Sequence, residues 1–175
     1  MMCTFRKHFR TLLNRMKPLL EEEPRNISIK WTRPKPYEAV FNSKCEHDDH
    51  AKLYMILRRF SDAAPKVIYI GKTWHQCVRT RLRQPDHRNR FRRFQENYPR
   101  HSFFVSYGIV SIDYGILTKK RVDEIERILI YASNPEHTEN RCNIWTHKVT
   151  DAYLINNTGS RGSIPRQIRL GVFTS

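Results

Sequence analysis

The turn between a strand and a helix in residues 67–82 carries residue types that handle phosphate. Four β-favouring residues run into Gly71, whose missing Cβ allows a tight turn and lets a ligand approach the backbone. Lys72 and Thr73 then offer a cation and a hydroxyl at the same turn. This order of residue types predicts a phosphate-handling site.

A short arginine-bearing helix is predicted directly after this turn. Val78 and Leu82 stand at i and i+4, a spacing that gives a helix one buried side. Pro85 is expected to end the helix. The flanks of the helix carry Arg79, Arg81 and Arg83.

A second basic helix is predicted over residues 88–98, with its aromatic residues on one face. Between residues 79 and 100 the chain has eight arginines and two acids, which favours a surface for backbone phosphates with some base stacking. A solvated helix face is the alternative. The residues predicted to bind nucleic acid along both helices are Lys72, Arg79, Arg83, Arg88, Arg90, Arg92 and Arg93.

A third helix is predicted from an apolar stripe formed by Val122, Ile125 and Leu129. On a helical wheel Glu124 lies nearly opposite this stripe, so we expect it to face solvent. Glu126 lies at the edge of the stripe and should face the margin of a sheet. An acid at such a margin needs a partner; the two possibilities are a salt bridge to an arginine and a bound cation.

The charge of the chain points to a polyanionic partner. The 175 residues suit one domain and carry a net charge of +15, with 32 Lys and Arg against 17 Asp and Glu. No apolar run approaches the roughly 20 residues that span a bilayer. We therefore expect nucleic acid, with DNA first and RNA as the alternative, and no membrane association.

The four cysteines stand far apart in the sequence and form no CxxC pair. Reduced thiols in an intracellular protein, cytoplasmic or associated with nucleic acid, are the prediction. A mitochondrial location stays open because residues 1–20 resemble a basic amphipathic presequence as well as a docking helix.

The order of elements predicts a small α/β domain of the α+β type, with a three-stranded, mainly antiparallel sheet flanked by helices. Its strands are expected at residues 53–57, 67–70 and 103–110. Residues 1–49 would form a basic N-terminal helix and a linker extension. Residues 146–175 would be a tail, mostly turn, that packs on or extends the domain.

The ordered motifs of residues 50–145 resemble the GIY-YIG endonuclease family. Lys52-Leu53-Tyr54 takes the GIY position and Tyr69-Ile70-Gly71 the YIG position, although lysine replaces the first glycine. The helix after the second motif places the family arginine at Arg81, with Arg79 as the alternative. The trailing motif is matched by Glu126, Leu129-Ile130, Pro135 and Asn140.

This resemblance implies metal-assisted hydrolysis of DNA phosphodiester bonds. Glu126 would hold Mg²⁺ or Mn²⁺, and Arg81 would stabilise the charge on the phosphate. Tyr54 or Tyr69 would deprotonate the attacking water, and His87 matches a histidine found in some members. Asn140 is expected to contact nucleic acid.

Two other functions stay open at this point. One is a protein that keeps the GIY-YIG scaffold and binds nucleic acid without cutting it, and the other is a basic structural protein that binds RNA. The oligomeric state is also open, since a palindromic target would favour a dimer.

Overall fold

The structure is a computed structural model that describes residues 24–42, 50–133 and 152–170. Within these ranges the chain forms seven strands and four helices. The strands are β1 Arg25–Trp31, β2 Lys35–Pro36, β3 Ala51–Phe60, β4 Lys66–Lys72, β5 His101–Ile112, β6 Tyr153–Gly159 and β7 Gln167–Leu170. The helices are α1 Tyr37–Asn42, α2 Val78–Leu82, α3 Pro85–Asn97 and α4 Lys119–Ser133.

All seven strands belong to one mixed sheet in the order β4-β3-β5-β1-β6-β7, with β2 also paired to β5. β1 and β6 are parallel, and the other neighbours are antiparallel. The predicted three-stranded sheet is therefore wrong. The three predicted strands are present and adjacent as β4-β3-β5, but β1 and two strands from the tail extend the sheet beyond them.

The extension arises because residues assigned to a linker and a tail have strand patterns of their own. In β1, Ile27, Ile29 and Trp31 are buried and alternate with exposed residues. This period of two places one row of apolar side chains against the core. β6 then pairs with β1 along its whole length, from Arg25 opposite Tyr153 to Trp31 opposite Gly159.

The sheet separates two apolar cores, because successive strand residues face opposite sides. On one side, α4 packs with its predicted stripe of Val122, Ile125 and Leu129 against Leu53 and Met55 of β3. On the other side, the first three helices cover the face that carries Tyr54, Ile56 and Tyr69.

The prediction that Glu124 faces solvent is wrong. Its side chain is buried, and it accepts a hydrogen bond from the hydroxyl of Tyr153, the first residue of β6. The Lys120 ammonium lies 3.8 Å from the same carboxylate. The wheel placed Glu124 correctly away from the apolar stripe, but the unpredicted strand β6 covers that side of the helix.

The two basic helices meet at Pro85, which opens the second rather than closing the first. α2 ends at Leu82, and α3 begins at Pro85, directly after Gln84. A proline is tolerated at the first position of a helix because the backbone N–H there has no partner within the helix. Cys77 caps α2 by accepting a hydrogen bond from the Thr80 N–H. Cys77 is disulfide-bonded, so the prediction of a reduced thiol is wrong for this residue.

Several predicted features lie outside the described residues. They are the basic helix of residues 1–20, the other three cysteines, the helix end at Asn134-Pro135, and Asn140. Among the residues that are described, no helix has both the length and the apolar character needed to cross a bilayer.

Candidate active site

Two tyrosines from neighbouring strands lie side by side on the face covered by α2 and α3. The register pairs Tyr54 with Gly71 and Ile56 with Tyr69, and the two tyrosine rings are 6.0 Å apart between centroids. Gly71 makes this approach possible. A Cβ at position 71 would lie 2.5 Å from the Tyr54 ring carbon Cζ and from its hydroxyl, and 2.8 Å from the Tyr69 ring. The tyrosine rings therefore occupy the space that a side chain at position 71 would fill.

His87, from the first turn of α3, completes a buried group with both tyrosines. Its ring is 6.0 Å from the ring of Tyr54 and 5.8 Å from that of Tyr69. The Tyr54 hydroxyl lies 3.4 Å from each ring nitrogen of His87, which is 2% exposed. We name Tyr54, Tyr69 and His87 the tyrosine–histidine cluster.

Two arginines flank this cluster. The Arg90 guanidinium lies 4.6 Å from the centre of the Tyr69 ring, and its Nη1 is 3.1 Å from His87 Nδ1. Arg81 donates a hydrogen bond to Gln84, and its Nη2 is 3.6 Å from the Asp86 carboxylate. Arg81 is also close enough to lower the pKa of both tyrosines and of His87. Arg90, predicted as a surface contact, thus lies against the tyrosine–histidine cluster.

Arg79 and Arg83 lie on a different side of α2. Both direct their guanidinium groups to the Phe41 carbonyl at the end of α1, with donor–acceptor distances of 3.4 Å for Arg79 Nε and 2.8 Å for Arg83 Nη2. Of the two candidates for the family arginine, Arg81 is therefore the one beside the tyrosine–histidine cluster.

Burial keeps the cluster uncharged near neutral pH. Desolvation raises the pKa of Tyr54 well above its ordinary value, and it raises that of Tyr69 as well, although Arg90 opposes the latter shift. Desolvation, followed by the positive charges of Arg81 and Arg90, lowers the pKa of His87 to about 4. The imidazole is therefore neutral at pH 7 and able to accept a proton.

A second group of ionisable residues lies beside the end of β4. Lys72 Nζ is 2.6 Å from Glu126 Oε2 and 3.1 Å from Asp123 Oδ1, and both acids come from α4. We name these three residues the carboxylate–lysine cluster. Desolvation raises the pKa of Glu126, while the hydrogen bond and charge of Lys72 oppose the shift. The negative charge of Glu126 in turn raises the pKa of Tyr69, so the two clusters interact electrostatically.

The carboxylate–lysine cluster contains the oxygen ligands that a divalent metal would use. In the described part of the chain, no three His, Cys, Asp or Glu side chains come together as a metal-holding group. Two carboxylates suffice for Mg²⁺, which keeps several waters and binds substrate phosphate. The Lys72 ammonium marks the position between them where a cation is favourable, because its Nζ lies 2.6 Å from Glu126 Oε2 and 3.1 Å from Asp123 Oδ1. The donors therefore fit Mg²⁺ once Lys72 withdraws.

The remaining predicted contacts divide between the surface and the interior. Lys72 was predicted to bind nucleic acid, but the structure pairs it with the two acids of α4. Three predicted arginines of α3 are exposed: Arg88, Arg92 and Arg93. Arg92 forms an ion pair with Glu96, whose carboxylate oxygen is 3.9 Å from Arg92 Nε.

The sequence reasoning missed Asp123 as a neighbour of Glu126. Asp123 precedes Glu126 by three residues, a spacing that places two side chains on the same helix surface. That spacing was a usable signal. The sequence gives a weaker indication that Arg90 lies beside His87. Arg90 follows His87 by three residues on the same helix, a spacing that brings two side chains together.

Comparison of this chain with family models, with curated proteins and with solved structures found no match. The function of the chain is therefore inferred from the residues and contacts described above.

Proposed function

We propose that this protein is a Mg²⁺-dependent endonuclease that hydrolyses DNA phosphodiester bonds. The observation that supports this most is the position of Arg81 and Arg90 around an uncharged tyrosine–histidine cluster, next to the carboxylates of Glu126 and Asp123. Hydrolysis of a phosphodiester needs these three functions close together: a group that binds phosphate, a group that accepts a proton, and a ligand for a metal.

The arginines supply the phosphate-binding function. Arg81 has Asp86 as its carboxylate partner among the described residues, at 3.6 Å, and the Asp86 side chain is 51% exposed. Such a partner is weak, because water screens an exposed ion pair. Guanidinium groups bind phosphate oxygens through two parallel hydrogen bonds, so a substrate phosphate can displace Asp86.

The proton-accepting function falls on His87 together with Tyr54. Both phenols have raised pKa values, which disfavours a tyrosine that is already ionised. The neutral His87 can take the Tyr54 proton while Tyr54 accepts a proton from a water that reaches the buried cluster when substrate binds. The water oxygen then forms a bond to phosphorus, the bond to the leaving oxygen breaks, and that oxygen is protonated from solvent. A phosphate anion nearby raises the pKa of His87 and helps it accept the proton.

Metal binding would use Glu126, with Asp123 as a second ligand. When bound there, Mg²⁺ or Mn²⁺ neutralises charge that develops on the phosphate oxygens and on the leaving oxygen. Lys72 holds the two carboxylates in place before binding. It must then leave Glu126, and a substrate phosphate offers its ammonium a new partner.

The second candidate is a protein that binds nucleic acid through the same scaffold without cutting it. The ion pair between Lys72 and Glu126 favours this alternative, because a 2.6 Å contact occupies the carboxylate that the metal would need. Both candidates use the same arginines for binding, and only the first needs Glu126 to hold a metal.

The test compares two acids of the same helix. Purified protein, Glu126→Gln and Glu124→Gln are incubated with supercoiled plasmid in Mg²⁺ or in EDTA, and nicked and linear products are measured on a gel. We expect Mg²⁺-dependent cutting by the parent and by Glu124→Gln, and none by Glu126→Gln. Plasmid retardation by all three proteins without any cutting would favour the binding scaffold.

A further inference from the structure

A cavity of about 400 Å³ opens at the far end of the β3–β4 hairpin from Gly71. The size matches the clefts that bind small ligands or single groups of larger ones. The function proposed above does not use this cavity. We name this cavity the hairpin pocket. It is lined by Arg58, Phe60, Ala63, Ala64, Lys66 and His101.

One wall of the hairpin pocket is an aromatic ring that faces solvent. Phe60 is 51% exposed, and its ring centroid is 5.2 Å from that of His101. Ala63 and Ala64 add small apolar groups beside it. A planar, partly apolar group such as a nucleobase can stack on this surface.

The polar part of the pocket is cationic. Arg58 Nη1 is 3.2 Å from His101 Nε2, and the Arg58 guanidinium lies 4.1 Å from the centre of the Tyr98 ring. Arg58 Nε and His101 Nδ1 are buried and have no hydrogen-bond partner among the described residues. Among the residues that the structure describes, the lining includes Lys66 and no acid. These groups suit a bound anion. A buried N–H donor without a partner is costly, so an anion that accepts its hydrogen bond is stabilising.

The pocket and the tyrosine–histidine cluster lie on the same face of the sheet. Along β3, Tyr54, Ile56, Arg58 and Phe60 alternate with residues that face the other side, and the pairing with β5 is regular from Leu53 to Phe60. At about 3.3 Å per residue, Arg58 and Phe60 are about 13 and 20 Å from Tyr54. This separation corresponds to about four to six base pairs of duplex DNA.

We propose that the hairpin pocket binds one unpaired nucleotide of the nucleic-acid substrate, with its base on Phe60 and its phosphate at Arg58 and His101. This inference rests on the proposed function and narrows it. The preferred substrate is a duplex with an overhang, flap or branch, whose unpaired nucleotide lies about four to six base pairs from the bond that is cut.

The first experiment measures binding in EDTA, so that it does not depend on cleavage. Fluorescence anisotropy gives the Kd of the full chain for a duplex with a thymidine overhang and for the same duplex with an abasic overhang of equal length. We expect the parent to bind the thymidine overhang at least about fivefold more tightly. Phe60→Leu should lose this preference, because it keeps an apolar side chain but removes the ring.

The matched control is Tyr114→Leu, which removes an aromatic ring that is 83% exposed and lies outside the pocket. It should keep the preference for thymidine. Equal binding of the two overhangs by the parent, or an unchanged preference in Phe60→Leu, would overturn the proposal.

The second experiment tests the phosphate. Desolvation and the Arg58 charge lower the pKa of His101 in the free protein. A phosphate bound beside the ring favours the imidazolium and raises this pKa. The His101 ring signals, assigned by their loss in His101→Gln, should therefore titrate at higher pH in the thymidine complex. An unchanged titration would contradict the phosphate position.

These measurements separate the pocket from the nuclease activity. If the plasmid test shows no cutting but Phe60 still determines the preference for thymidine, the pocket stands and the nuclease proposal falls. If the plasmid is cut and Phe60→Leu binds both overhangs like the parent, the nuclease proposal stands and the pocket falls.

Discussion

The two ionisable clusters on either side of β4 differ in how their charges are compensated. The tyrosine–histidine cluster is uncharged, and Arg81 beside it has a half-exposed Asp86 as its carboxylate neighbour. The carboxylate–lysine cluster is charged and internally paired, with Lys72 between two acids. The first is arranged to receive an anion, while the second already holds a cation.

The two clusters approach the end of β4, an edge strand of the sheet, from opposite faces. Gly71 and Lys72 are consecutive residues, and alternation along a strand sends their substituents to opposite faces. Arg90 contacts the face of Tyr69 and Gly71, and the acids contact Lys72 on the other face. If they shared one face, guanidinium and carboxylate groups would pair and neither would be available to substrate or metal. Separation across one strand preserves both.

The largest expected effect distinguishes Arg81 from Arg79. Arg81→Met removes the guanidinium beside the tyrosine–histidine cluster, and the rate of Mg²⁺-dependent plasmid cutting should fall about 100-fold to 1,000-fold. Arg79→Met removes a side chain that bonds to the Phe41 carbonyl, and we expect a loss of less than about tenfold. Initial rates at saturating DNA give the comparison. Equal losses in both variants would place the phosphate elsewhere.

The second effect is the pH dependence of stability that the buried His87 imposes. Its folded pKa of about 4 lies below the ordinary value near 6.5, so the unfolded chain binds more protons between these limits. Stability is fully present above pH 6.5 and is lost as pH falls towards 4. Linkage predicts a loss of about 2 kcal/mol between pH 7 and pH 5.

Urea unfolding at several pH values measures this effect. His87→Gln should remove most of the slope between pH 7 and pH 5, and His75→Leu, at an exposed position, should keep it. A parent protein whose unfolding free energy is unchanged over this interval would show that His87 is charged or open to water. The first cluster would then no longer be the uncharged one.

Local patterns predicted the part of the fold that carries the candidate site. β3, β4 and β5 all contain the strands expected from β-favouring apolar runs, and α4 has the expected stripe facing the core. The position of Glu126 at the sheet margin also follows from helical periodicity. These features depend on neighbours within a few residues, which a sequence shows directly.

Two missed features, the alternation in β1 and the spacing of Asp123 from Glu126, had local signals, and the others depend on distant segments. β1 and β6 pair although more than 120 residues separate Trp31 from its neighbour Asn157, whose side chain accepts a hydrogen bond from the Trp31 indole. No local pattern encodes such a partner. The prediction that Glu124 faces solvent fails for the same reason. The Tyr153 hydroxyl that donates a hydrogen bond to the buried Glu124 carboxylate comes from β6.

The smallest expected effect tests whether Lys72 and a metal compete for the same carboxylates. Lys72→Met leaves Glu126 and Asp123 without their cation, and without divalent ions the unfolding free energy should fall by about 1 to 2 kcal/mol. Mg²⁺ should then raise the Tm of the variant more than that of the parent, because no ammonium has to leave. Lys66→Met, an exposed residue at the other end of β4, is the control and should respond to Mg²⁺ like the parent. Equal Mg²⁺ responses in parent and Lys72→Met would mean that the second cluster holds only its own lysine.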